Sequence, residues 1–107
     1  MIPEKTVQVP ASRSAVPASQ AELNQTADRL VLEVVYAVDD GYTGVPECQR
    51  LIAWLSAEFL PWVQARFAQA PPALLELRSV LDQMHGSNGQ EAARLSMQAR
   101  ALVFRLL

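Results

Sequence analysis

Five side chains of this 107-residue chain stand out as candidates for chemistry: Asp39, Asp40, Cys48, Glu58 and His85. Asp39 and Asp40 open the turn Asp39-Asp40-Gly41-Tyr42-Thr43-Gly44, directly after a helical pattern. A helix dipole disfavours negative charge there, and a local violation of this kind sometimes marks function. The pair could hold a metal or meet a partner's arginine, although the further oxygen ligands of a calcium loop are missing; the plainer expectation is a solvated turn. Cys48 falls in the first turn of a helix opened by Val45-Pro46-Glu47, a position that lowers a thiol's pKa. No acid–base relay stands beside it, and free cysteine commonly packs as a small hydrophobe. Glu58 interrupts an apolar run, where desolvation would raise its pKa unless the carboxylate pairs or reaches solvent. His85 is the only histidine, at a helix end that favours its cation, and it has no second histidine with which to build a metal site.

The motifs that would turn such residues into an active site are missing. There is no P-loop, no dinucleotide-binding glycine fingerprint and no H-E-x-x-H, G-x-S-x-G or C-x-x-C. All four glycines lie in two turns, Gly41–Gly44 and Gly86–Gly89. The expectation is a protein without catalytic residues, cofactor or metal.

The elements that position these residues read as helices. Ser19-Gln20-Ala21-Glu22 is a capping box. Leu23, Ala27, Leu30, Val31, Val34, Ala37 and Val38 then share one helical face up to Gly41, placed to end the helix in the left-handed conformation. Leu32 and Tyr36 fall beside the polar arc of that helix, a turn apart, and could form a secondary contact. The next helix runs from Val45 and contains Leu51–Val63, LIAWLSAEFLPWV, in which only Ser56 and Glu58 are polar. Its polar neighbours Arg50, Gln64 and Arg66 do not gather on one side, so the run predicts a helix buried all round. Pro61 predicts a kink, or a stop at Leu60 with a third helix from Pro61 to about Ala70. A fourth helix, Pro72 to His85, carries the clean stripe Leu74, Leu77, Val80, Leu81 and Met84. Asn88 with Glu91 reads as a second capping box for a fifth helix that reaches the chain end. This last helix has two apolar faces, one of Ala92, Leu95, Ala99, Leu102, Val103 and Leu106, the other of Ala93, Met97, Ala101 and Phe104.

The fold class predicted is therefore all-α: a compact bundle of four to five short helices over 19–107, behind a flexible N-terminal arm over 1–18 that contains Pro3, Pro10 and Pro17. Half the residues are hydrophobic and 19% charged, a globular composition. A net charge of −2 opposes a general nucleic-acid binder, which needs a basic surface. Eight of nine basic residues are arginine, which fits a GC-rich bacterial genome. The single cysteine, the lack of a secretory pattern at the start and the lack of an 18–20-residue apolar stretch predict a cytoplasmic protein without a membrane span.

Apolar surface exceeds what five short helices can hide. The function expected is a non-enzymatic protein–protein interaction module, such as a small bacterial adaptor, regulator or dedicated chaperone, acting as a homodimer or on a protein partner. The expected interface anchors are Trp62, Phe67, Met97 and Phe104, with Leu32 and Tyr36 as a secondary pair. The alternative is a nucleic-acid-associated transcriptional regulator, with a helix-turn-helix-like element built from the fourth helix, the His85–Gly89 turn and the fifth helix.

Overall fold

The computed structural model describes residues 19–107, so the expected arm over 1–18 lies outside the described residues. Among those described, all regular structure is helical: α1 (Gln20–Asp39), α2 (Val45–Trp54), a π turn over Leu55–Phe59, α3 (Leu60–Arg66), α4 (Pro72–Met84) and α5 (Gly89–Leu106). None of these helices is long and apolar enough to cross a membrane.

α1 begins with the expected box. The Glu22 amide donates to Ser19 Oγ at 3.1 Å, and the Ser19 amide donates to Glu22 Oε1 at 3.0 Å. It ends in a Schellman arrangement: the Gly41 amide donates to the Val38 carbonyl and the Tyr42 amide to the Ala37 carbonyl, with Gly41 at φ 91°. Gly44 at φ 73° then starts α2 with its Cα close against Val38, leaving no room for a β-carbon.

Pro61 sits in the first turn of α3, and no gap in helical structure precedes it. α2, the π turn and α3 run on as one rod, because the Leu60 amide reaches back five residues to the Leu55 carbonyl. A proline ring in an α-helix presses on the carbonyl four residues earlier; the wider turn just before Pro61 relieves that contact. It also resets the phase. Residues four apart drift by about 40° per step on an α-helix, yet Leu51, Leu55, Phe59 and Val63 are all 0–1% exposed. With Arg50, Ala53, Ser56, Ala57, Glu58, Gln64 and Ala65 exposed on the other side, the run is one-sided rather than buried all round. Phe59 is fully buried and stacked between Trp54 (5.7 Å, 26°) and Trp62 (6.1 Å, 24°).

Asn88 is the N-cap residue of α5, extended at φ −153° and ψ 167°, but its side chain makes no capping bond. Glu91 turns to Arg94 instead, at 2.6 Å. The Gly89 amide is satisfied across the fold by the Thr43 carbonyl at 2.7 Å.

α5 is the central helix. It packs along α1 on one side and α4 on the other, and against the underlying rod through α2. Its small buried residues Ala92, Ser96 and Ala99, each at most 1% exposed, permit that close approach. α1 and α5 are antiparallel, since Gln20 Nε2 donates to the Leu107 carbonyl at one end while Gly89 meets Thr43 at the other. The thinnest dimension is 18 Å, the depth of two helix layers.

The aromatic stack makes Phe59 the largest fully buried side chain of the core. Phe59→Ala is expected to cost about 3–5 kcal/mol of folding stability in urea titration. A loss below about 1 kcal/mol would show that the rod does not depend on the stack.

Candidate interaction surface

Of the five candidates for chemistry, only Cys48 and His85 line a common cleft. Asp39 and Asp40 are exposed, with Asp40 serving as the C-cap of α1, and no group of three or more potential metal-ligating side chains occurs among the described residues. Glu58 is exposed and shares an open depression of about 450 Å3 with Trp54, Arg29 and Arg50. His85 is exposed at the C-cap of α4, beside a cleft of about 230 Å3 that Cys48 and Ser87 also line. Cys48 itself is 2% exposed. Burial pushes its thiol above the ordinary range, offset in part by the hydroxyls of Ser87 and Ser96. Desolvation of the thiolate outweighs its place in the first turn of α2, and the thiol packs as part of the core.

The other class of candidate, large apolar side chains in solvent, is well represented. Leu32, Tyr36, Phe67, Met97 and Phe104 are 38–66% exposed. Trp62 differs: it is half-buried, packed on the core through Phe59, and covered by the Arg66 guanidinium 4.6 Å from its ring centre. Phe67 lies where the chain leaves α3, beside a cleft of about 240 Å3 bounded by Gln64, Leu74 and Arg78.

The remaining four share one face. Arg100 of α5 reaches α1, donating to Asn24 Oδ1 at 2.7 Å and pairing closely with Asp28. Those bonds fix which edge of each helix borders the α1–α5 seam. Stepping outward from that seam by helical geometry, α5 presents Phe104, Met97 and then Ala101, while α1 presents Leu32 and Tyr36. The buried arc of α5 lies on the opposite side, at Ala92, Leu95, Ala99 and Leu102. Arg100 also holds its guanidinium 5.7 Å from the Phe104 ring centre, so the most exposed of the four is braced rather than loose. Toward α4 the same face turns polar, with Arg94 and Arg105 exposed and Arg105 Nη1 3.8 Å from Glu76 Oε1.

Sequence reasoning missed two exposed apolar residues, Tyr42 (71%) and Leu75 (55%). Leu75 was legible, since it sits opposite the buried stripe of α4. It also missed the bridging part played by Arg100, whose only signal was that it fell outside the polar stripe of its own helix.

The raised Cys48 pKa gives a folded state that holds the proton more tightly than the unfolded chain. The stability this contributes is complete below the unfolded thiol's pKa and is lost as pH rises through the folded value. Native protein is accordingly expected to react with a thiol reagent far more slowly than protein in concentrated urea, at least tenfold at pH 8; equal rates would place Cys48 outside the core. No protein-family model matches the sequence, and neither the curated proteins nor the solved structures give a match.

Proposed function

We propose that this protein is a non-enzymatic protein–protein interaction module that works through the open face of the α1–α5–α4 layer. The observation that carries the reading is that Leu32, Tyr36, Met97 and Phe104, 42–66% exposed, open onto the same side of the α1–α5 pair. Taking about 200 Å2 for each such side chain, they expose on the order of 400–500 Å2 of apolar surface, in the range of the largest functional patches on monomers. Aromatic and Met side chains within a rim of arginine, as here with Arg94 and Arg105, match the composition that distinguishes interfaces from other surface. A small adaptor, regulator or dedicated chaperone fits a fold that offers such an open face. The arginine-rich usage and the single thiol, here buried, are what favour a bacterial cytoplasm.

The nucleic-acid alternative would place α5 in a groove as the second helix of a helix-turn-helix. α5 is packed by three other elements, and the arc it leaves open carries Met97 and Phe104 between its arginines, which supports a protein-facing role over a phosphate-facing one.

Met97→Ala and Phe104→Ala should each leave folding stability within about 0.5–1 kcal/mol of the parent, because both side chains are mostly in solvent. Each should also weaken the assembly the protein enters by at least tenfold. The assembly is read by light scattering of the purified protein across concentration and by the native mass of the untagged protein in cell extract. A chain that runs as a monomer in both measurements would overturn the reading.

A further inference from the structure

The face described above has a symmetry in its charges. Glu91 and Arg105 lie on the same polar edge of α5, the edge bordering α4, and both are exposed. They stand about 21 Å apart along the helix axis at 1.5 Å per residue, on either side of Gln98, which is also exposed. If a second α5 is laid antiparallel across the first about a two-fold axis near Gln98, Glu91 of each copy falls opposite Arg105 of the other. In such pairing, like edges meet: the α4-side edge meets the α4-side edge, and the α1-side edge meets its counterpart.

The apolar residues obey the same operator. Met97, in the middle of the open arc, falls level with residue 99 of the other copy, within about 3 Å along the axis of that copy's Met97, so the two thioether side chains meet across the axis. On the α1-side edge, Phe104 of one copy falls level with residue 92 of the other. The Gln20–Leu107, Asn24–Arg100 and Thr43–Gly89 bonds set the α1–α5 register, and they place Tyr36 at that level. One rotation therefore brings two opposite-charge pairs and two aromatic pairs level with each other across the axis. The four apolar side chains supply about half of the roughly 800 Å2 per partner of a standard interface, and the polar edge of α5 supplies surface for the rest.

We propose that the occupant of this face is a second copy of the same chain, packed α5 on α5 in antiparallel, two-fold symmetric contact. This rests on the interaction reading of the face and names its partner. It accounts for a central helix with two apolar faces: one is core of the protomer, the other core of the dimer.

The test uses the full chain. Light scattering across concentration is expected to show a mass that rises from 11.8 kDa toward twice that value. Glu91→Arg and Arg105→Glu, made singly, each set two like-charge contacts across the axis and should raise the dimer dissociation constant about tenfold, with circular dichroism unchanged. Made together in one chain, they recreate the pairs with signs exchanged and should bring the constant back to within about threefold of the parent. Residues fourteen apart on one helix cannot reach each other within a protomer, so a recovery reports contact between copies. A chain that is monomeric at every concentration overturns the dimer. A dimer in which the double variant is no tighter than the singles overturns the antiparallel register. If the chain is monomeric while Phe104→Ala still abolishes a larger native assembly, the second copy is wrong and the interaction reading survives.

Discussion

Close approach to α5 is the constraint on which the rest of the structure depends. Small side chains let neighbouring helices come closer, and Ala92, Ser96 and Ala99 give α5 a narrow profile within its buried arc. The larger Leu95, Leu102, Val103 and Leu106 then fill the space between layers. Deleting a methylene from such an arrangement opens a cavity, while adding one forces helices apart. The remaining helices are placed by this requirement: α1 and α4 beside α5, the rod beneath, and solvent on the fourth side.

Much of this arrangement can be read from residue types because the devices involved are local. The Ser19–Glu22 box, the Gly41 terminus and the α4 stripe need only neighbours within a turn or two, and each occurs where the sequence puts it. What could not be read needs knowledge of a distant partner. Asn88 has the right type and conformation for a cap, yet Thr43, far away in sequence, supplies the acceptor that satisfies the Gly89 amide. Arg100 looks unremarkable on its own helix and becomes the bridge between α5 and α1 only once Asn24 and Asp28 are beside it.

The apolar run shows a different kind of failure. Plotted at 3.6 residues per turn, Leu51, Leu55, Phe59 and Val63 spread over about 120°, and the apolar Ala53, Ala57 and Ala65 on the opposite side hide that face on a wheel. The wide turn before Pro61 narrows the spread. The exposed candidates fared otherwise: periodicity singled out Leu32, Tyr36, Met97 and Phe104 one helix at a time, but that they open onto the same side of one helix pair depends on α1 and α5 being antiparallel and neighbours. Trp62 was drawn toward the same group by its type, whereas its place in the stack ties it to the core.

The π turn has a mechanical consequence. It inserts a phase change into an otherwise continuous rod, so the segment after it is rotated about the helix axis relative to the segment before it. The orientation of Trp62 and of the chain's exit at Phe67 is thereby set by a backbone offset rather than by the side chains of α2. Substitutions along α2 can alter how firmly the rod sits without turning that corner. Removing or adding one residue between Leu55 and Phe59 would turn the corner as a unit, swinging the connection that leads into α4. The rod therefore behaves as a shaft with a fixed dial setting, and Pro61 is the stop that holds the dial in place.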